Sequence, residues 1–385
     1  MAIDNKDKKI LNVPPLRFPE FTEEWKAEQL DNIATLSKGI GISKEQLSED
    51  GEPCILYGEL YTKYKSEIIK QVESKTDING SKLKRSKAND VIIPCSGETA
   101  VDIATARCVP FDNILFGGDL NVISLHQYDG AFMSYQLNGK RKYDIARVAQ
   151  GVSIVHLYGE HLKAIKTYNP TLPEQQKIAK LLSLLDDRID TQNKIIEDLK
   201  KLKSAISERL FKSVKGSTVL LSDLCDIVKG KQINGENLSD SGNYYVMNGG
   251  TEPSGYYDNY NVEANTISIS EGGNSCGYVQ FNTSPFWSGG HCYSIQNIAD
   301  KVDNMYLYHY LKSNEDAIMK LRIGSGLPNI QKKDLAMFKI IVPKIEWQIK
   351  ISTFLSSLER KAEIEERIQN VMQKQKLYLL QQMFI

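Results

Sequence analysis

The chain has 385 residues, of which 41% are hydrophobic and 25% charged, and its 48 basic and 48 acidic side chains give zero formal net charge. This composition predicts about two to three globular domains and excludes an extensively disordered protein. Zero net charge also disfavours a uniformly basic DNA-binding protein, because phosphate contacts need Lys and Arg.

The chain start and the cysteines indicate a cytoplasmic protein. The polar stretch 1–9 has no apolar signal segment behind it, and no run approaches the roughly 20 apolar residues that span a membrane. The cysteines show no CxxC pair and no histidine at metal spacing: Cys54, Cys95, Cys108, Cys225, Cys276 and Cys292. We expect reduced thiols and no metal site.

Residues 1–169 are predicted to form a globular domain. Short alternating strands punctuated by Gly and Asn indicate a mixed, largely β structure with small helices, and 22 basic side chains balance 23 acidic ones. Two basic stretches are candidates for contact with DNA phosphates, with a solvated surface as the alternative: Lys82, Lys84, Arg85 and Lys87, and then Lys140, Arg141 and Lys142.

Residues 170–214 are predicted to form one long helix. After Pro173 the segment contains neither Pro nor Gly. Apolar residues recur at threes and fours or their multiples: Ile178, Leu182, Leu185, Ile189, Ile196, Leu199, Ile206 and Leu210. A lone helix with such a stripe is unstable in water, so we expect a partner helix.

Residues 215–342 are predicted to form a second domain similar to the first. It is acidic, because residues 216–342 carry 9 basic and 13 acidic side chains. Its polar loop 324–329 is either a plain turn or a candidate DNA-facing loop, since glycine permits close approach to a phosphate. The candidate DNA-binding residues here are Lys229, Lys231, Lys320, Arg322, Ser325, Asn329, Lys332 and Lys333.

Residues 343–385 are predicted to form a second long helix that repeats the first. Pro170 aligns with Pro343 (343 − 170 = 173), and the same offset relates Gln175 to Gln348, Lys177 to Lys350 and Phe211 to Phe384 without a gap. One departure is Glu346-Trp347-Gln348, which stands where the first copy has Pro173-Glu174-Gln175. This departure leaves the start of the second helix open.

The globular segments repeat more weakly. Leu30-x-x-Ile33-x-x-Leu36-x-x-Gly39 is similar to Leu221-x-x-Leu224-x-x-Ile227-x-x-Gly230, and Ala149-Gln150-Gly151-Val152 to Gly324-Ser325-Gly326-Leu327. The predicted fold class is therefore α+β: two similar, largely β domains joined by two long antiparallel helices that form a coiled coil with pseudo-two-fold symmetry. Such an object suits two separated sites of opposite polarity, as duplex DNA offers.

The order of parts, the Pro-Thr-Leu-Pro-Glu-Gln-Gln-Lys-Ile-Ala helix start at 170–179, and the opening Trp25…Leu30…Ile33…Gly39 resemble the specificity subunit of type I restriction–modification systems over essentially the whole chain. The resemblance implies target recognition domains at 1–169 and 215–342, each reading one half of a bipartite target in double-stranded DNA. It implies conserved spacer helices at 170–214 and 343–385.

The same resemblance implies partners. Two methyltransferase subunits would dock on the helices, with Glu174, Gln175, Lys177, Gln348 and Lys350 as candidate docking residues, and restriction subunits, which act as motor and nuclease, would join this core. The assembled complex would be a DNA adenine methyltransferase and an ATP-dependent endonuclease. Its partners would use S-adenosylmethionine, ATP and Mg, and this chain would hold no cofactor.

No catalytic residue is predicted in the chain itself. It contains neither a GxxxxGK[ST] nor an HExxH sequence, and Asn169-Pro170-Thr171-Leu172 lacks the aromatic residue that stacks on a flipped base. The alternative is a scaffold in which two protein- or glycan-binding domains sit on a coiled-coil spacer. The acidic second domain favours the scaffold, and the family-like helix start disfavours it.

Overall fold

A computed structural model describes residues 12–324, 326 and 328–385. The chain divides into two compact units. Unit one consists of the described residues up to Asn193 together with Ile368–Ile385, and unit two consists of Lys194–Arg367. Each unit therefore contains one globular part and a portion of each long helix.

Unit one is built mainly from short strands. In chain order these are Lys26–Gln29 (β1), Ala34–Lys38 (β2), Leu47–Ser48 (β3), Glu52–Ile55 (β4), Lys75–Thr76 (β5), Lys84–Arg85 (β6), Asp90–Pro94 (β7), Ser96–Gly97 (β8), Arg107–Val109 (β9), Leu115–Phe116 (β10), Leu120–Leu125 (β11), Val155–His156 (β12) and Lys166–Asn169 (β13). Its helices are Leu30–Ile33 (α1), Glu59–Thr62 (α2), Ala100–Ile103 (α3), Gly130–Asn138 (α4), Lys142–Val148 (α5), Gly159–Lys163 (α6) and the long helix Leu172–Ser213 (α7), with 3-10 turns at Lys44–Gln46 and Gly80–Lys82.

The centre of unit one is an antiparallel sheet in the order β2-β11-β7-β9. Both faces of this sheet are buried. Val91 and Ile93 pack on one face with Met133 of α4, whereas Ile92 and Val122 pack on the other face. The apolar run in β7 is therefore continuous rather than alternating. A second sheet has the order β3-β5-β4-β10-β6.

Unit two repeats this architecture. Its strands are Ser217–Leu220 (β14), Asp226–Lys229 (β15), Tyr244–Met247 (β16), Tyr256–Tyr257 (β17), Thr266–Ser270 (β18), Val279–Asn282 (β19), Trp287–Ser288 (β20), Cys292–Gln296 (β21) and Lys339–Val342 (β22). Its helices are Asn304–Ser313 (α8), Glu315–Met319 (α9), Lys332–Ala336 (α10) and the long helix Ile345–Gln382 (α11), with 3-10 turns at Leu221–Asp223 and Gly235–Asn237.

The strand order confirms that the two globular parts are copies. The sheet β15-β21-β18-β19 has the order of β2-β11-β7-β9, and the pair β14-β22 has that of β1-β13.

Each copy also contains a glycine that no larger residue could replace without moving the backbone. A Cβ on Gly39 would lie 1.9 Å from the carbonyl oxygen of Gly117, and one on Gly230 would lie 2.1 Å from that of Gly289. Both copies therefore need glycine where two backbone segments cross.

The long helices pair antiparallel within each unit, as predicted. In unit one, Lys376 Nζ lies 2.6 Å from Asp186 Oδ1, and Gln369 bonds to Asn193. In unit two, Lys200 bonds to Glu366 at 2.6 Å and Lys203 to Glu359 at 2.5 Å. In both units the residue numbers rise along one helix as they fall along the other.

The second helix begins at the position equivalent to the first, which settles the question left open by its different sequence. Helix α7 starts at Leu172 and α11 at Ile345, and 345 − 172 = 173. A buried glutamine in the first turn of each helix makes hydrogen bonds that fix where the helix begins. Gln175 accepts from the backbone N–H of Asp129 at 2.9 Å and donates to the carbonyl of Pro170 at 2.8 Å. Gln348 makes the same bonds to Asp303 and Pro343, at 2.9 and 2.8 Å.

Substitution Gln348→Leu is expected to lower the free energy of unfolding by about 2–4 kcal/mol, because it leaves three buried or partly buried backbone groups without partners. The affected groups are the N–H of Asp303 and the carbonyls of Lys301 and Pro343. Urea denaturation of the full chain measures the loss. The exposed Gln373→Leu on the same helix is the control and should change stability by less than about 0.5 kcal/mol. Equal effects of the two substitutions would contradict this role for Gln348.

Candidate nucleic-acid interface

One edge of the central sheet in unit one carries an ordered hairpin loop. The edge lies where β2 and β7 end and β11 begins, since Asn121 pairs with Lys38 and Leu120 with Pro94. Strand β8 follows β7 there and pairs with β12. The backbones of Gln150 and His156 exchange hydrogen bonds of 2.9 and 2.7 Å. Residues 150–156, the first edge loop, therefore project from this edge.

Unit two has the same loop at the same place. The backbones of Ile323 and Asn329 exchange hydrogen bonds of 2.8 and 3.0 Å, and Asn329 bridges to Gly272 just beyond β18. The offset is again 173 (323 − 150 and 329 − 156). Residues 323–329 form the second edge loop, in which Ser325, a predicted DNA contact, lies outside the described residues, as does Leu327.

A polar cluster lies at the root of the second edge loop. Lys229, the last residue of β15, bonds through Nζ to Glu271 Oε1 at 2.6 Å, and the Tyr293 hydroxyl donates to the same oxygen at 3.0 Å. The buried Glu271 Oε2 has no hydrogen-bond partner among the described residues, and the exposed His291 lies 4.0 Å from it. Glu271 therefore fixes the position of the exposed Lys229 ammonium group at this edge.

Lys38 is the counterpart of Lys229 in unit one. It is exposed at the end of β2, with its Nζ 5.7 Å from the centre of the Tyr158 ring. Lys38 was not among the predicted DNA contacts, although the sequence contains a signal for it. Lys38 and Lys229 each directly precede an aligned glycine of the repeat, Gly39 and Gly230.

The predicted basic residues of the first stretch in unit one do not form one patch. Arg85 in β6 makes two bonds to Glu52, of 2.6 and 3.0 Å. Lys84 precedes it in the same strand and Lys82 ends a 3-10 turn. Lys87 lies before β7, at the sheet edge opposite the first edge loop. The structure therefore does not bring these four residues together with the loop.

The second predicted stretch packs on the end of the chain. Arg141 donates to the terminal residue Ile385 at 2.9 Å and lies 3.1 Å from Asp144. Lys140 is exposed and Lys142 half-buried beside it. Arg141 is therefore engaged by contacts within unit one, which the local basic pattern could not reveal.

The predicted residues of unit two lie closer to its edge loop. Lys229, Lys231 and Asn329 belong to the sheet edge or to the loop itself. The others flank the loop in sequence and are exposed: Lys320, Arg322, Lys332 and Lys333.

Three of the five predicted docking residues point into the chain. Glu174 is buried, accepts two hydrogen bonds from Arg17 at 2.6 and 2.7 Å, and accepts one from Trp25 at 3.3 Å. Gln175 and Gln348 are buried in the contacts given above. Their presence at the helix starts therefore reflects folding of this chain.

Lys177 and Lys350 are exposed. Lys177 lies over the ring of Phe18 at 4.5 Å, and Lys350 over Trp347 at 5.0 Å. Of the predicted docking set, these two side chains are accessible to another protein.

Each long helix also exposes apolar residues. On α11 within unit two, Trp347 is 58% exposed, and Phe354 follows seven residues later. On α7 within unit one, Leu181 and Leu184 are exposed. These helices already bury another face against each other, so the exposed side chains form a second apolar surface at helical spacing.

The described part of the chain contains no group of three or more His, Cys, Asp or Glu side chains placed to hold a metal ion. Each of the six cysteines is buried and unpaired. Across the same described residues, no helix combines the length and apolar character needed to cross a bilayer.

The type I restriction modification DNA specificity domain matches this chain twice, over residues 22–201 and 215–374. The chain belongs to this family. A type I specificity subunit of Mycoplasma genitalium is 34% identical over 122 residues, which are 31% of each chain. One of Mycoplasma pneumoniae is 33% identical over 145 residues, 37% of this chain and 38% of the relative. The chain thus matches only about a third of the length of these relatives.

Other similarities extend over nearly the full length. The specificity subunit of a type I restriction enzyme of Methanocaldococcus jannaschii is 24% identical over an alignment of 420 positions, gaps included, which covers 96% of this chain and 94% of the relative. The crystal structure of the S subunit of a type I system from M. genitalium superposes with a TM-score of 0.68 at 19% identity, covering 97% of this chain and 99% of that one. This likeness shows a shared fold.

Proposed function

We propose that this chain is a non-catalytic specificity subunit that reads a bipartite target in double-stranded DNA, with one globular part for each half. The observation that carries the proposal is the repeated sheet edge. Each unit presents a hairpin loop with the same backbone closure, offset by 173 residues, beside an exposed lysine, Lys38 or Lys229. Side chains on such edges can reach base edges in a groove, while lysines contact phosphates.

Partner docking is the second part of the proposal. Two methyltransferase subunits would bind the exposed apolar stripes of α7 and α11, with Lys177 and Lys350 nearby, and restriction subunits would join them. Exposed residues such as Trp347 and Phe354 support this, because a partner helix would remove them from water. S-adenosylmethionine, ATP and Mg would be used by those partners, in the cytoplasm.

The charge balance makes the partners necessary for tight binding. The chain has no net charge, and several of its cations are engaged by its own carboxylates, as Arg85 is by Glu52 and Lys229 by Glu271. Binding strength rises with the number of phosphates neutralised. The methyltransferase subunits would therefore supply cations that this chain lacks.

Selection from a random duplex pool tests the proposal. The complex with co-purified methyltransferase is expected to enrich a split consensus and to bind it at least about 100-fold more tightly than the isolated chain, because affinity depends on phosphate contacts. Equal nanomolar binding by both would refute the argument from charge. Failure of the complex to retain any DNA would favour the scaffold alternative, and cleavage by the chain alone would contradict the non-catalytic assignment.

A further inference from the structure

The tip of the first edge loop exposes two β-branched apolar side chains. Val152 is 97% exposed, more than any other large apolar side chain in the described part of the chain, and Ile154 is 61% exposed. Between them lies Ser153, and Gly151 precedes them. Folding alone would not favour this arrangement, because both side chains remain in water.

The tip is held by a stiff base. The two hydrogen bonds between Gln150 and His156 close the loop, and β12 pairs with β8 through Val155 and His156. Val155 is buried in the core of unit one. Gly151 has φ of +125°, and a Cβ there would lie 2.1 Å from the carbonyl oxygen of Ile154. The base of the loop is therefore closed by backbone hydrogen bonds, and its turn requires glycine at position 151.

The tip by itself is too small to form a protein docking surface of ordinary dimensions. A stable protein interface buries about 800 Å² on each partner, which two aliphatic side chains on a narrow loop cannot supply. An apolar side chain of this kind does fit between two unstacked base pairs, where wedge residues kink or open duplex DNA.

The charges near the loop favour bases over phosphates as the contact of the tip. Ser153 and Ile154 line a cavity of about 740 Å³ whose walls also include Glu98, Asp102 and Arg107. Arg107 is buried and donates to the backbone carbonyls of Tyr64 and Ala106, so the exposed charges of this cavity are the two carboxylates. These exposed carboxylates would repel a phosphate but accept a hydrogen bond from the N2 amino group of guanine in the minor groove, the groove from which wedge residues enter. The available cation at this edge, Lys38, projects from the end of β2 instead.

We infer that Val152 and Ile154 form an apolar wedge that enters a base-pair step within the half-site read by unit one. The inference rests on the proposed function. The wedge separates two stacked base pairs, and the hydrogen-bonded base of the loop supports the wedge. The neighbouring Glu98 and Asp102 then face the base edges that this opening exposes. The backbone hydrogen bonds that close the two loops correct the sequence alignment, which paired Val152 with Leu327: at an offset of 173, the residue of unit two equivalent to Ile154 is Leu327 and the one equivalent to Val152 is Ser325.

The test uses the complex with co-purified methyltransferase and its selected duplex, carrying the fluorescent base 2-aminopurine at each step of the unit-one half-site in turn. The wild-type complex is expected to raise fluorescence at one step. The double variant Val152→Ser/Ile154→Ser is expected to lose that signal and to bind the intact duplex about 10–100-fold more weakly. Unstacking a step costs a few kcal/mol, and without the wedge the protein can neither offset that cost nor make the contacts that depend on the opened step. A mismatch at the same step, which weakens stacking in advance, should bring the variant to within about threefold of wild type.

Two controls separate a wedge from other roles. Tyr143→Ser removes another exposed apolar side chain of unit one, 64% exposed, and should change neither signal. Val152→Met/Ile154→Leu keeps apolar bulk and should preserve both. Loss of the methyltransferase from the double variant would overturn the wedge in favour of a protein contact. Unchanged binding by the double variant, while wild type still selects a split consensus, would overturn the wedge alone, whereas no selection by wild type would overturn the proposed function.

Discussion

Replacing residues 216–342 with the corresponding segment of another family member is expected to change the bases selected at one half-site and to leave the other half-site unaltered. The chain enters and leaves this segment through neighbouring strands, since Ser217 of β14 pairs with Val342 of β22. Both strands of that pair lie inside the graft. The core of the graft is therefore formed largely from its own residues.

Two features decide whether the exchange succeeds. A Cβ on Gly216 would lie 2.4 Å from the carbonyl oxygen of Val342, so the junction must keep this glycine. The core of unit two also includes Phe211 from α7 and Leu355 from α11, against which the graft must pack. Selection from random duplexes by the complex measures the result, with a graft of the wild-type segment through the same junctions as the control. A change in both half-sites would reject reading by separate domains.

Lys376→Met is expected to lower the free energy of unfolding by about 3–5 kcal/mol, because it leaves two buried carboxylates without their cation. Lys376 Nζ lies 2.5 Å from Glu67 and 2.6 Å from Asp186, and the hydroxyl of Tyr135 donates to Asp186 at 2.7 Å. Thermal or urea denaturation of the full chain measures the loss. Lys200→Met, which removes an exposed pair with Glu366, should cost less than about 1 kcal/mol.

The loss at Lys376 should depend on pH in a defined direction. Burial raises the pKa of Asp186 above its ordinary value, so the folded state binds a proton more readily there than the unfolded state. Removing Lys376 raises that pKa further, and the variant therefore gains stability relative to wild type as pH falls. Asp186→Asn in the Lys376→Met background should restore part of the loss at neutral pH. A deficit that stays constant from pH 8 to pH 5, with no rescue by Asn, would exclude an electrostatic origin.

The helices were the most predictable part of the molecule, for a physical reason. A helix signal is local, and two copies in one register predict equal starts, which Leu172 and Ile345 confirm. The altered residues Glu346 and Trp347 do not shift the start, because Gln348 keeps its bonds to Asp303 and Pro343.

The candidate site was less predictable because it depends on contacts between residues far apart in sequence. The basic pattern singled out Arg85 and Arg141, but could not show that Glu52 and the terminal residue Ile385 engage them. The buried Glu174 accepts hydrogen bonds from Arg17, which lies 157 residues earlier in the sequence. Motif residues that fix a fold and those that touch a partner look alike until such contacts are known.

The ion pairs of the long helices reveal how a protein of this kind could arise. Helix α7 gives the acid in unit one, Asp186, and the lysine in unit two, Lys203, whereas α11 gives Glu359 and Lys376 in the opposite roles. The acid and the lysine are equally spaced on both helices (203 − 186 = 17 and 376 − 359 = 17). A single ancestral helix bearing both charges would form both ion pairs with a second copy of itself lying antiparallel to it. Duplication and fusion of a half-length homodimer would then give one chain whose halves are free to diverge in what they recognise.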